Sequence, residues 1–253
     1  MNKNNHKNNV TVNENKNMGN HPARRILNTE EARRMVEGCT DYNDKRSDKR
    51  NFRSVEICGT QFENEDLSGL EAHYSKFKDI QFNACDLSRM EGYFIEFENC
   101  KFVNCDLHNG NFSFAQITNA EFINCNLNGI DMPFAKADFK TEKCMMECCT
   151  AQNAELKINM SETNMVGLEA NAARIEIEAV SCSFRRSEFN GACIKGSITQ
   201  TDLMNTEFNN ADLTDLRLTD CATRFMETKD AICCEDSDTD FEDIFDDNEE
   251  DEE

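Results

Sequence analysis

Tryptophan is absent from the 253 residues, proline occurs twice, and only four histidines are present. No stretch of eighteen or more apolar residues occurs, so no membrane-spanning helix is expected. The amino terminus, Met1-Asn-Lys-Asn-Asn, carries no apolar stretch of the kind a secretory leader needs. Cations are scarce: 27 Lys and Arg stand against 49 Asp and Glu, for a net charge of −22. His6, His21, His73 and His108 are scattered, no nucleophile lies beside a base, and no glycine-rich phosphate loop is present. No catalytic residue and no cofactor is therefore expected, and the chain reads as a binding protein rather than an enzyme.

What the sequence does hold is a repeat. Phe62-Glu-Asn-Glu-Asp-Leu67 returns as Phe82-Asn-Ala-Cys-Asp-Leu87, Phe102-Val-Asn-Cys-Asp-Leu107 and Phe122-Ile-Asn-Cys-Asn-Leu127, always twenty residues on. Large apolar residues recur every fifth position from Phe52 to Met132, broken only at Ala72 and Gly92. Five is neither the strand period of two nor the helix period of 3.6. A chain that turns a corner every five residues closes after four corners, so one coil takes twenty residues and like stacks on like. Phe62, Phe82, Phe102 and Phe122 would form one inward stack, and Leu67, Leu87, Leu107 and Leu127 another. The small residue two places earlier would also face in, and the residue between them, often acidic, would face out. Tyr93 and Phe94 are expected to fill the gap that Gly92 leaves.

Ala211-Asp-Leu213, Cys105-Asp-Leu107 and Thr201-Asp-Leu203 match a known phrase: small, Asp or Asn, Leu or Phe, then two free residues. The sequence resembles the pentapeptide-repeat proteins over roughly residues 51 to 220. The resemblance implies an all-β fold, a right-handed, four-sided parallel β-helix. It also implies that some relatives imitate duplex DNA. Those in the quinolone-resistance and gyrase-inhibitor branch bind type II topoisomerases in place of DNA.

Around the repeat the chain divides by composition. Residues 1–27, rich in Asn and Lys, are expected to be a disordered arm. Residues 28–50 read as a cap: Asn28-Thr-Glu-Glu31 is a capping box that opens a helix from Thr29 to Glu37, closed by Gly38. Residues 1–53 carry net +5, from twelve cations and seven acids, and read as a solvated cap and linker. Residues 51–222 are the β-helix, with an irregular middle near 133–158, where the beat falters at Pro133 and returns two residues out of step at Ala137-Asp-Phe139. A second slip, nineteen residues instead of twenty between Phe189 and Phe208, points to a one-residue deletion near Lys195 and Gly196. Residues 223–253 read as a disordered acidic tail, and 227–253 alone carry fifteen acids and one lysine, net −14. Within it Phe241, Ile244 and Phe245 share one helical face and resemble a docking segment that folds on a partner.

Fourteen cysteines would suggest disulfides in a secreted protein. With no leader, the expected compartment is reducing, the cytoplasm. Cys85, Cys100, Cys105, Cys125 and Cys182 fall at small inward positions and read as buried free thiols. Cys144, Cys148 and Cys149, with Cys233 and Cys234, lack the paired spacing of a zinc site, so no metal is expected.

Residues 54–226 carry −13. Eight coils at a strand spacing of about 4.8 Å make a rod about 40 Å long, and duplex DNA of that length carries about 24 charges. Two functional readings follow. In one, the rod and tail mimic DNA on a DNA-binding enzyme such as a type II topoisomerase. Asp66, Asp86, Asp106, Asp202 and Asp212 would carry the charge, and the solenoid would bind no nucleic acid itself. In the other, the rod is a rigid scaffold or effector that docks a partner protein through Phe241, Ile244 and Phe245.

Overall fold

The computed structural model describes residues 23–37 and 51–233. The first element is β1 (Arg25–Leu27), followed by α1 (Thr29–Glu37). Six short strands come next: β2 (Val55–Cys58), β3 (Gln61–Glu63), β4 (Lys76–Lys78), β5 (Gln81–Asn83), β6 (Glu96–Glu98) and β7 (Lys101–Val103). Six longer ones complete the chain: β8 (Gln116–Ile123), β9 (Lys136–Glu142), β10 (Glu155–Ser161), β11 (Arg174–Val180), β12 (Cys193–Thr199) and β13 (Asp212–Thr219). All pairings are parallel, and each strand pairs with its counterpart one coil away, as in Phe62 with Phe82 and Phe82 with Phe102. This is a four-sided parallel β-solenoid. A ladder of single bridges, Asn51–Glu71–Glu91–Asn111–Asp131–Thr150–Glu169–Glu188–Glu207–Glu227, runs its whole length in nine steps. At about 4.8 Å per step the rod is about 43 Å long.

The corners explain the five-residue beat. In the first four coils every fifth residue has a left-handed backbone, for example Phe94, Asn99, Asn104 and Asn109 with φ of 53–56°. Asn and Asp tolerate that conformation, and no β-branched residue occupies such a corner among the described residues. The residue after each corner points in, then one points out, then the large apolar residue points in. Phe62, Phe82, Phe102 and Phe122 are buried, as are Leu67, Leu87, Leu107 and Leu127, none more than 6% exposed. The phenyl rings stack face to face at 5.3, 4.9 and 4.7 Å between centroids.

The small inward residue does more than leave room. Its side chain donates to the carbonyl of a large residue in the preceding coil: Cys100 Sγ to Phe77 O (3.2 Å), Cys105 Sγ to Phe82 O (3.4 Å), Cys125 Sγ to Phe102 O (3.4 Å). Thr206 Oγ1 on Phe184 O (2.9 Å) and Ser187 Oγ on Met165 O (3.1 Å) do the same. A small side chain with a donor suits this position because it satisfies a carbonyl that water cannot reach. At Gly92 the neighbour fills the gap. A Cβ there would lie 2.8 Å from a ring carbon of Phe112. Tyr93 and Phe94, expected to plug the hole, instead lie half-buried on the outside, where Tyr74, Phe94, Phe114 and Phe134 stack at 5.0–5.4 Å.

Residues 133–158 are not a bulge or loop. From Asp131 the bridge ladder steps by nineteen residues for four coils, to Thr150, Glu169, Glu188 and Glu207, then by twenty to Glu227. The missing residue is a corner. Where earlier coils turn at Asn99 or Asn119, β9 runs straight through seven residues with strict in-out alternation. The register between β8 and β9 shifts between Ile117 and Ala120, where the corner is lost. A second break, between Cys193 and Lys195 in β12, restores the twenty-residue coil. The expected slip near Lys195 and Gly196 therefore ends a shortened run that begins about sixty residues earlier, near Asp131.

The ends also differ from expectation. Arg25–Leu27, placed in the arm, adds a rung to the sheet by pairing with Val55–Ile57. Residues 1–22 lie outside the described residues. Helix α1 begins where the capping box predicts: Glu31 N donates to Asn28 Oδ1 (2.9 Å) and Asn28 N to Glu31 Oε2 (3.0 Å), while Gly38, expected to close it, lies outside the described residues. Its Ala32 is buried and Thr29 meets Thr60 Oγ1 at 3.1 Å, so it packs on the first coil. At the other end the coil continues past residue 222, with Asp202 bridged to Ala222 and Asp212 to Ile232.

Candidate functional site: an acidic ladder on one face

Counting corners assigns every outward residue to one of four faces. Face one follows the Asn51–Glu227 ladder, face two β2, β4 and β6, and face three β3, β5 and β7. Face four follows the ladder Asp66–Asp86–Asp106–Asn126–Met145–Asn164–Ser183–Asp202–Ala222. The strands β9 to β12 run across faces two and three without a corner.

The expected carriers do not gather on one acidic face. Asp66, Asp86, Asp106 and Asp202 stand on face four, and Asp212 on face two. Each rung of face four with its three following residues gives five acids against Arg89, Arg185, Arg186 and Arg224, a net of −1. These aspartates also do local work. Asp66 Oδ1 accepts from Ser68 N (3.0 Å), Asp86 Oδ1 from Ser88 N (2.9 Å) and Asp106 Oδ1 from His108 N (3.1 Å), each closing a turn over the corner. Asp202 does the same for Met204 N, and Asp212 for Thr214, whose hydrogen bond holds the Asp212 carboxyl below its ordinary 3.8. Phe241, Ile244 and Phe245 lie outside the described residues.

Face one is different. Seven of its ten rungs are acidic: Glu71, Glu91, Asp131, Glu169, Glu188, Glu207 and Glu227. With the three residues after each rung the face holds eight acids against Arg53 and Lys229, a net of −6. Among the described residues only Glu71 of these seven has an ion pair, with Arg53 Nε at 2.9 Å. Elsewhere acids are neutralised along the rod: Glu98 by Lys76 and Lys78 (both 2.6 Å), Glu121 by Lys101 (2.9 Å), Glu155 by Lys136 (2.7 Å) and Glu176 by Lys195 (3.0 Å).

Amides hold the lower half of the ladder in place. Asn190 is typical. Its Oδ1 accepts from Asn209 N (2.9 Å) and its Nδ2 donates to Glu207 Oε2 (2.8 Å). Asn171 serves Asn190 N and Glu188 in the same way, Asn209 serves Lys229 N and Glu227, and Gln152 Nε2 reaches Glu169 Oε2 at 2.9 Å. One side chain thus joins the backbone of the next coil to that coil's carboxylate. Four carboxylates in succession are fixed about 4.8 Å apart along the axis without a cation between them.

The family model described as pentapeptide repeats matches residues 95–132 as eight copies. Residues 95–132 are thus pentapeptide repeats. Solved structures resemble it at low identity. HetL, a pentapeptide repeat protein involved in heterocyst differentiation regulation from the cyanobacterium Nostoc, is 16% identical, with 84% of this chain and 99% of that one covered and a TM-score of 0.38. A trypsin-treated form of QnrB1, a plasmid-mediated fluoroquinolone resistance protein, is 16% identical over 74% of this chain and 87% of that one, with a TM-score of 0.43. Rfr23 from the cyanobacterium Cyanothece is 11% identical over 74% and 89%, with a TM-score of 0.16. No curated protein matches this chain in sequence.

The cysteines of the repeat are structural in placement. Cys144 Sγ donates to Phe122 O (3.3 Å) and Cys149 Sγ to Leu127 O (3.2 Å), at two different inner corners, while Cys148 stands exposed between them. Burial pushes the thiols of Cys100 and Cys149 up to about 12. No group of His, Cys, Asp or Glu among the described residues is arranged to hold a metal ion. Among those residues, no helix is long and apolar enough to cross a membrane.

Proposed function

We propose that this pentapeptide-repeat rod is a non-catalytic protein-binding element whose acidic face occupies the basic groove of a DNA-binding enzyme, such as a type II topoisomerase, in place of DNA. The observation that carries the reading is the face-one ladder, seven acids on ten rungs with one ion pair among the described residues. A cation of the partner meets carboxylates there that have not already spent their charge within the rod. The rigid coil sets their spacing in advance, so binding orders little that is not already ordered.

The magnitudes agree with such a role. Duplex DNA about 43 Å long carries about 25 charges. Residues 54–226 supply −13 and residues 227–253 a further −14, together −27. The attraction is long-ranged at low ionic strength and falls as salt is added. Asp66, Asp86, Asp106, Asp202 and Asp212 add to the general field, but the oriented charge lies on Glu169, Glu188 and Glu207.

The test is a supercoiling and DNA-displacement assay with purified gyrase and topoisomerase IV. The wild-type chain inhibits both activities in a salt-dependent manner. A variant with Glu169→Lys, Glu188→Lys and Glu207→Lys inhibits at least tenfold less, while Asp86→Lys on face four changes inhibition less than threefold. Absence of inhibition and of DNA displacement at every concentration would sink the reading, as would a triple variant as active as the wild type.

A further inference from the structure

The loss of one corner in four successive coils leaves a mark on the outside. Across faces two and three, β9 to β12 lie flat between two longer coils. On one side is the coil of β8, still turned at Asn119, and the lining ends on the other side at Cys193 and Lys195 of β12, where the register to β13 breaks. Between them lies a groove of about 710 Å³. Its floor includes Ile117, Ala137, Leu156 and Ile175, whose edges reach solvent. Above the floor stand Lys136, Lys157, Arg174 and Lys195 against Asp138, Glu155 and Glu176. This makes a site of net +1 on a rod of net −13. Arg174 has no ion pair among the described residues.

We propose that this groove is the docking site of the chain's own carboxy-terminal segment, residues 234–253. Three observations single out this occupant. The first is where the chain goes. Ile232 bridges Asp212, so the described chain ends at Cys233 on face two, the face into which the groove is cut. The second is reach. Three steps back along the face, from Ile232 through Asp212 and Cys193, lies Arg174. That is about 14 Å at strand spacing, whereas the seven residues 234–240 span up to about 24 Å extended. Phe241 therefore arrives over the groove floor with length to spare. The third is chemistry. Residues 234–253 hold thirteen acids and no Lys or Arg, with Phe241, Ile244 and Phe245 among them. The acids meet a net-positive groove lining on an acidic rod, and the three apolar side chains meet its apolar floor.

The proposal does not depend on the acidic ladder, because the groove is cut into the neighbouring face two and no rung of face one lines it. It has a consequence for it. A docked tail adds its charge beside the ladder at a fixed place instead of sweeping a large volume around the rod.

Zero-length carbodiimide cross-linking of the full chain tests the proposal, on an equal mixture of ¹⁴N- and ¹⁵N-labelled protein at low micromolar concentration. The expected links join tail carboxylates near Phe241–Phe245 to Lys136, Lys157 and Lys195 within one isotope population, at least fivefold more often than to Lys101 or Lys143. A full-length variant with Phe241→Ser, Ile244→Ser and Phe245→Ser should lose most of that preference, as should wild type in 0.5 M salt. Links spread evenly over all lysines would overturn the proposal. Links mainly between isotopes would also overturn it, since the occupant would then be a second copy. An unchanged pattern in the serine variant would remove the apolar part of the argument and with it the choice of this segment's register.

Discussion

Phe102 sits at the centre of the phenyl stack, fully buried, with Phe82 at 4.9 Å below and Phe122 at 4.7 Å above. Removing it opens a cavity that two coils border, and the rigid corners limit collapse, so Phe102→Ala should cost about 3–5 kcal/mol in a denaturant melt. A loss under about 1 kcal/mol would show that the coils close over the hole and that the stack does not hold them in register. Gly196 is a different kind of residue. Its φ is 117°, and a Cβ there would lie 2.0 Å from the carbonyl oxygen of Ile177. Gly196→Ala should therefore destabilise by at least about 1–3 kcal/mol, with the damage at the β11–β12 pairing. Hydrogen exchange at the amides of Lys195–Ser197 would show it, and unchanged protection there would refute it. The cysteines divide by position. Cys58, Cys148 and Cys193 are exposed, while Cys85, Cys100, Cys105, Cys125, Cys144, Cys149 and Cys182 are buried. A thiol reagent applied to the native protein should label the first three within minutes and the second seven only on unfolding. Early labelling of Cys100 or Cys149, both raised by burial, would contradict the packing of the inner corners.

At the scale of the element, charge pairing on face two makes a pH prediction. Hydrogen bonds from Lys76 and Lys78 hold the Glu98 carboxyl below its ordinary 4.5. A carboxylate with a depressed value in the folded state contributes stability that is complete above 4.5 and is lost as pH falls through the lower folded value. The acid limb of the stability curve should therefore be shallower in Glu98→Gln than in wild type, and an identical limb would exclude the pairing. The elements also show what could be read from residues alone. The start of the helix was legible to the residue, because Asn28 and Glu31 are local signals that need no partner from elsewhere. So was the coil, because its five-residue beat repeats within a window shorter than two turns. The shortened coils were not. One missing corner displaces every later phrase by one residue, so Ala137-Asp-Phe139 looks out of step although its strand is more regular than those before it. The strand Arg25–Leu27 was hidden for another reason: three residues carry no period, and only the exposed edge of Val55–Ile57 gives them a place. The acidic face failed for want of register. The phrase puts an acid before the large residue on any side, and only counting corners through nineteen-residue coils separates Glu169, Glu188 and Glu207 from Asp86 and Asp202.

For the whole molecule, two electrostatic effects oppose each other. Most ion pairs on faces two and three, such as Lys101–Glu121, Lys136–Glu155 and Lys195–Glu176, are exposed, and such pairs contribute about 0–1 kcal/mol each and weaken with salt. Against them stands a net charge of −13 on residues 54–226, with six of the seven carboxylates of the face-one ladder unpaired among the described residues. Like charges directly opposite each other across neighbouring strands destabilise a sheet. From Glu169 to Glu227 four of them follow in succession. The Debye length is about 10 Å at 0.1 M salt, twice the rung spacing, and about 3 Å at 1 M, less than one rung. Screening should therefore remove more repulsion than attraction, and the melting temperature should rise between 0.05 and 1 M sodium chloride. The variant Glu169→Gln, Glu188→Gln, Glu207→Gln should melt above wild type at low salt and show a flatter salt response. Its amides can still bond the neighbouring Asn and Gln side chains, so the ladder keeps its hydrogen bonds and loses only its charge. A melting temperature that falls with salt, or a triple variant with the wild-type slope, would mean that the acids of face one are neutralised within the molecule. In that case the same residues would have no free charge to offer a basic groove, and stability and binding would fail on one measurement.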